Sequence, residues 1–293
     1  MIIVKLIGGL GNQMFQYATA RYLAEKHSTI LKLDISGFEL YKLHRYSLHC
    51  FHVWEYLVNK TEIEDIVYSS NTLKKIGIKS LAKLGFNNIK SNRVITESQF
   101  NFDPHILNLP NNILLDGYWQ TEKYFVDIAD ILRREFVVKY QQDYLSRQFA
   151  DLIQSTQAVS LHVRRADYIQ NALTNQIHGT CDRDYYDHAV QYISERVINP
   201  HFFIFSDEPQ WAKENLKYDF PITIVDCNDA SRNYEDLRLM SMCKHNIIAN
   251  SSFSWWGAWL NPNPHKLVIA PQRWFNDSKI NTQDLIPNQW IKI

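Results

Sequence analysis

The sequence predicts an α/β protein assembled from parallel strand–helix–strand units. Three observations carry that expectation. The first 35 residues read as strand, glycine loop, helix and strand. The second half alternates short apolar runs with helical patterns, the signature of parallel sheets covered on both faces. The 293-residue chain is 45% hydrophobic and 21% charged, the make-up of a folded protein large enough for two domains.

Taken in order, Ile2, Ile3, Val4, Lys5, Leu6 and Ile7 form a run suited to a strand buried on both faces. Gly8, Gly9, Leu10 and Gly11 follow, and then Met14, Phe15, Ala18 and Tyr22 recur at the spacing of one helix face. Residues 30–35 are the next strand. Residues 36–120 are less regular, with a Lys/Asn-rich stretch over 71–91, and helical patterns return at 122–136 and 141–153. Apolar runs at 158–163, 202–205, 222–225, 246–249 and 267–270 read as buried strands. Helices are expected between them at 184–196, 209–216, 234–244 and 253–260. A domain boundary is placed near residue 155, giving domains 1–155 and 156–293, without internal repeats or low-complexity tracts.

The bulk numbers exclude several classes of function. Lys plus Arg and Asp plus Glu are both 31, so no global field points to nucleic acid or an anionic membrane. An anionic ligand must therefore be held by local donors. The cysteines Cys50, Cys181, Cys227 and Cys243 have no CxxC spacing, which fits reduced thiols better than a disulfide framework or a zinc knot. No run approaches a membrane span or a signal h-region, so a cytoplasmic location is expected and the Asn-x-Ser/Thr sequons at Asn59, Asn250 and Asn276 should be inert. The 8 Trp, 16 Tyr and 15 Phe are compatible with stacking on sugar rings, although core packing is the favoured reading of any single one of them.

Four segments are candidates for chemistry. Gly8-Gly9-Leu10-Gly11-Asn12-Gln13 lies between a strand and a helix, where free amides favour an anion; it is either a ligand loop or a structural turn. A dinucleotide fingerprint with Asp34 as ribose acid is a rival, but its third glycine would be Met14. His162-Val163-Arg164-Arg165-Ala166-Asp167-Tyr168 follows a buried strand. Two arginines there need anionic partners, which are either structural acids such as Asp167 and Asp207 or the oxygens of a diphosphate. Asn250-Ser251-Ser252-Phe253-Ser254-Trp255-Trp256-Gly257-Ala258-Trp259 also follows a strand; its serines suit a helix cap or a phosphate, and its tryptophans suit the core. Asp182-Arg183-Asp184 has the form of a metal-holding D-x-D, yet at a helix start it reads as capping, so no metal site is expected. P-loop, zincin and esterase signatures are absent.

Together, G-G-L-G-N-Q, H-V-R-R-A-D-Y and N-S-S-F-S-W-W-G-A-W-L, in that order, resemble the bacterial and animal α-1,2-fucosyltransferases, over nearly the whole chain and most weakly across 40–120. The resemblance implies a GT-B-type architecture of two Rossmann-like domains facing across a cleft, the first on the acceptor side and the second binding GDP-fucose. It implies an inverting, metal-independent transfer of L-fucose to O2 of a terminal galactose, with GDP-fucose as co-substrate and no cofactor. The acceptor would be a galactose-terminated oligosaccharide or glycolipid in polysaccharide biosynthesis, a role that allows peripheral association with membrane-bound glycan precursors. By the same resemblance Arg164 contacts the diphosphate, His162 lies beside the guanine, and Asp236 accepts its N1 and N2 protons. Ser251, Ser252 and Phe253 match the phosphate loop, while Asn12, with Leu10 and Gly11, matches the loop reaching the donor from the first domain. Related core-type enzymes carry a glutamate base where this chain has Ala172, so the base is open; Asp167 is the first candidate, with orientation of Arg164 as its alternative role. Another nucleotide-sugar transferase, a dinucleotide-dependent oxidoreductase and a non-catalytic sugar-binding module are the rival readings. The last two leave the arginines and the serine loop unexplained.

Overall fold

The computed structural model describes residues 1–40, 43–67, 91–165, 177 and 179–293. They form two compact units, Met1–Phe136 and Val137–Ile293.

The first unit opens with β1 (Ile2–Lys5), whose Ile2, Ile3 and Val4 are fully buried. Helix α1 (Leu10–Lys26) packs against it. Met14, Phe15 and Ala18 are buried as the spacing predicts, but so are Gln13, Gln16, Thr19 and Arg21, so the helix is enclosed on nearly every side. Most of the polar groups this encloses are satisfied internally, the Thr19 hydroxyl being an exception. Tyr17 donates its hydroxyl to Glu135 at 2.6 Å, and Arg21 donates Nε to the same carboxylate at 3.0 Å. A buried ion pair needs such partners to be tolerated.

Strand β2 (Leu31–Asp34) and helix α2 (Lys60–Val67) follow, then β3 (Val94–Thr96) and β4 (Ile113–Asp116). The sheet is parallel throughout, in the order β2-β1-β4-β3. The helical pattern at 122–136 resolves into two 3-10 turns and helix α3 (Ala129–Glu135). Phe125 interrupts it with φ −144°, burying its ring 6.0 Å from that of Phe15.

The second unit begins with α4 (Tyr144–Ser155), capped by Asp143, whose carboxylate accepts from the Ser146 amide. Ala150 and Ile153 of α4 pack with Leu239 and Met240. Residues 137–155 therefore belong with the second unit, and the division falls at Phe136/Val137 instead of near residue 155. After α4 come β5 (Gln157–Val163), α5 (Arg183–Ser194), β6 (Pro200–Ser206), α6 (Pro209–Asn215) and β7 (Ile222–Val225). The chain ends with α7 (Asn233–Met242), β8 (His245–Ile247), α8 (Ser252–Leu260), β9 (Val268–Ala270) and β10 (Ile291–Lys292).

All six strands are parallel, in the order β10-β9-β8-β5-β6-β7. Alternation along them feeds two cores. Val159, Leu161, Val163, Phe202 and Ile204 meet α5 and α6, while Ala158, Phe203 and Phe205 meet α4 and α7. Burial on both faces is why these strands read as unbroken apolar runs. Helix α8 is the most apolar element: Trp255 and Trp256 are fully buried and Trp259 nearly so. Gly257 lets it approach α7, since a Cβ there would lie 3.0 Å from Met240 Cβ. No helix among the described residues is long and apolar enough to cross a membrane, and no disulfide joins the four cysteines.

Candidate active site

In an open parallel sheet, ligands bind beyond the carboxyl ends of the strands, where the strand order reverses direction. In the second unit the chain runs from β5 outward to β6 and β7, then returns to place β8 on the other side of β5. The reversal point is therefore the β5/β8 crevice. The two motifs singled out in this half of the sequence flank it: His162 to Arg165 at the end of β5, and Asn250 to Phe253 at the end of β8.

His162 is buried, and its ring lies 5.7 Å from that of Phe253. Burial, with a smaller contribution from Arg164, pushes its pKa down to about 3, so it is neutral at physiological pH. Its Nδ1 has no hydrogen-bond partner among the described residues. The two arginines take different acidic partners. Arg164 Nε lies 3.3 Å from Asp207 Oδ2, a half-exposed pair. Arg165 has several partners. Its amide donates to Asp207 Oδ1 at 2.9 Å, its Nε to Glu208 at 3.2 Å, and its guanidinium lies 4.0 Å above the Trp211 ring. Asp167 and Ala172 lie outside the described residues.

Ser251 is the N-cap of α8, its Oγ accepting from the Phe253 amide at 3.3 Å. The remaining first-turn amides lie at the positive end of the helix dipole. Asn250 braces this corner by donating to the carbonyls of Gly179 and Trp274, both at 3.1 Å. Asp236 sits in the first turn of α7, where burial raises its carboxyl to about 7 although Asn228 donates a 2.7 Å hydrogen bond to it. Asp182 caps α5, accepting from the Tyr185 amide at 2.9 Å, in keeping with the capping reading of D-x-D.

The first unit has its own reversal point, between β1 and β4. The glycine loop leaves the end of β1, and Gly117-Tyr118-Trp119-Gln120 leaves the end of β4. Gln120 Nε2 donates to Asn12 Oδ1 at 2.9 Å, joining the two loops. Gly8 has φ +77°, and a Cβ there would lie 2.5 Å from Asn12 Nδ2. Gly8→Ala should therefore cost about 1–3 kcal/mol of stability and displace Asn12. A denaturant midpoint indistinguishable from wild type would contradict this.

Gln13 and Gln16 clamp the loop from beneath. Gln13 bonds the Gly8 and Arg45 carbonyls and the Ser47 amide; Gln16 bonds the Ile7 amide and the Gly117 carbonyl. Leu10 and Gly11 are buried, leaving Asn12 as the half-exposed polar side chain of the loop. Trp119 is buried at φ +57°, a strained conformation for an aromatic residue. Glu97 holds it there by accepting the Tyr118 and Trp119 amides at 2.6 and 3.0 Å, and burial raises the Glu97 carboxyl. Asp34, the acid a dinucleotide fingerprint would need, is spent on its own turn, bonding the amide and hydroxyl of Ser36.

Sequence reasoning did not single out Glu97, Gln120 or Asn228. Their one available signal was position, since each lies just past a strand end.

The model of glycosyl transferase family 11 matches residues 1–293. The chain belongs to glycosyl transferase family 11. This family 11 chain is 34% identical to an α-1,2-colitosyltransferase of Escherichia coli, with 100% of this chain and 99% of the relative covered. It is 24% identical to galactoside α-(1,2)-fucosyltransferase 2 of Rattus norvegicus, over 89% of this chain and 67% of that one. Among solved structures, fucosyltransferase NodZ from Bradyrhizobium shares the fold, with a TM-score of 0.50 at 14% identity, covering 89% of this chain and 93% of that chain. The expected GT-B-type fold and the family resemblance both stand.

Proposed function

We propose that this family 11 glycosyltransferase moves L-fucose from GDP-fucose to O2 of a terminal galactose, inverting the anomeric carbon in one displacement. The observation that carries the reading is the β5/β8 reversal point, where Arg164 and the N-terminus of α8 flank one crevice. As the fucosyl–phosphate bond breaks, the sugar becomes oxocarbenium-like and negative charge builds on the departing GDP. A guanidinium fork and a set of helix amides are donors suited to that charge without a metal ion. A neutral His162 leaves the Arg164 charge undiluted by a second cation that would compete for solvation. Asp236 is assigned to the guanine edge and Asp167 to the acceptor hydroxyl as general base. The second unit takes the donor, to which the Asn12 loop is also assigned, and the first unit takes the acceptor.

A colitosyl donor is the second reading, favoured by the 34% identical relative. Both are tested by incubating the protein with either GDP-fucose or a colitosyl donor and galactose-terminated acceptors, with and without excess EDTA, and reading the linkage by NMR. An α-1,2-fucosyl product formed at an undiminished rate is the expected result. Loss of transfer in EDTA, restored by manganese, would overturn the metal-free mechanism. Use of a colitosyl donor with no turnover of GDP-fucose would establish the second reading.

A further inference from the structure

We propose that Asn228 is a positioning residue for the base-reading carboxylate, holding Asp236 so that both its oxygens present acceptor lone pairs to a purine edge bearing two adjacent N–H donors. The inference rests on the guanine assignment of Asp236 made above and adds to it a residue that acts through that carboxylate.

Asn228 lies in the loop after β7, at the same carboxyl edge as Arg164 and Ser251, and reaches the first turn of α7. Its Nδ2 donates to Asp236 Oδ1 at 2.7 Å, and among the described residues it is the hydrogen-bond donor to that carboxylate. The amide oxygen at the other end is buried without a partner, so the side chain is not held there by a second bond of its own.

The charged neighbours do not do this work. Arg232, which draws Asp236 down only weakly, is engaged by Asp143 at the N-cap of α4. Glu235, the adjacent acid in α7, is gripped by Arg238. Cys227, on the same loop as Asn228, is a thiol whose own pKa is raised.

The choice of an amide has a chemical rationale. Guanine offers N1–H and N2–H side by side, and only an ionised carboxylate accepts both; a protonated carboxyl turns one oxygen into a donor. A lysine or arginine in place of Asn228 would orient the carboxylate but also neutralise it. A carboxamide fixes the rotamer and favours ionisation while leaving the full negative charge for the base, where charge-assisted hydrogen bonds are the strong ones.

Burial already holds Asp236 at about 7, so the ionised fraction changes steeply around neutrality. The sign follows directly. GDP takes the ionised form, so affinity is full above about pH 7 and falls as pH drops through that value. Removing the Asn228 N–H moves the fall to higher pH.

The experiment is calorimetric titration of GDP, and of inosine diphosphate lacking the exocyclic amine, into wild type, Asn228→Ala, Asn228→Ser and Asp236→Ala between pH 6 and 9. Asn228→Ala should weaken GDP about tenfold at pH 7, raise the pH midpoint and recover affinity at pH 9. It should also narrow the GDP-over-inosine preference and raise the donor KM by more than it lowers kcat. Asn228→Ser, keeping a shorter donor, should recover part of the loss.

Wild-type affinity and midpoint in Asn228→Ala, with binding abolished in Asp236→Ala, would overturn the role of Asn228 and keep the guanine assignment. Unchanged GDP affinity in Asp236→Ala would overturn the assignment itself. A pH-independent loss in Asn228→Ala, not relieved by serine, would show a merely structural side chain and overturn the proposal.

Discussion

Arg164→Lys is expected to lower kcat by about a hundredfold or more while the melting temperature barely moves. Lysine keeps the charge but is a point donor without the planar fork that meets two phosphate oxygens at once. The stability side of this expectation comes from the surroundings. The Arg164–Asp207 pair is part-exposed on both sides, and pairs of that kind contribute about 1 kcal/mol or less, a contribution lysine can largely replace. Arg165 is the internal control with the opposite pattern. It holds Glu208 and stacks on Trp211, so Arg165→Lys should lower the melting temperature and leave kcat near wild type. Measuring kcat and thermal stability for both variants separates a leaving-group contact from a structural one. Retention of more than about a tenth of wild-type kcat in Arg164→Lys would refute the leaving-group role.

Trp255→Ala should cost about 3–5 kcal/mol, a large fraction of the stability of an ordinary domain. The side chain is fully buried, with the rings of Trp256, Trp290 and Trp259 at 5.1, 5.3 and 6.3 Å. Its indole N–H donates to the Leu285 carbonyl at 2.9 Å, fastening the C-terminal segment to α8. Alanine leaves a cavity and an orphaned acceptor together. Trp255→Phe keeps most of the packing and should cost only about 1–3 kcal/mol, chiefly for the unmade hydrogen bond. Urea unfolding midpoints read both numbers, and a loss below about 1 kcal/mol in the alanine variant would contradict the anchoring role.

The second unit was more legible in the sequence than the first, for reasons of length. Its strands β5 and β6 are seven residues long and buried on both faces, so apolar runs announce them. Strands β3 and β4 span three and four residues inside a polar stretch, too short for any periodicity to rise above the background. The glycine loop was visible, but whether its polar residues face a ligand or the protein depends on partners far along the chain. Gln13 meets Arg45 and Ser47, and Asn12 meets Gln120. Neutral amides carry no spacing signature, which is also why Asn228 went unnoticed. The division at Phe136 was obscured because α4 follows it directly, and only tertiary packing on α7 assigns that helix to the second unit. That Arg164 and Arg165 take different acidic partners, Asp207 and Glu208, agrees with the expectation that neighbouring side chains on an extended segment separate.

The carboxamide mounting of the Asn12 loop has a consequence for how the protein responds to its medium. Gln13, Gln16 and Gln120 hold that loop through groups that neither titrate nor attract counterions. Molar salt, which would loosen an ion-pair hinge, leaves such a mounting in place. The second unit is built otherwise, with Arg164, Arg165, Asp207, Glu208 and Asp236 around its crevice. Ionic strength therefore acts first on the charged crevice of the second unit, and on the function proposed above a loss of activity in a brine should appear as weaker diphosphate capture while the Asn12 loop keeps its conformation.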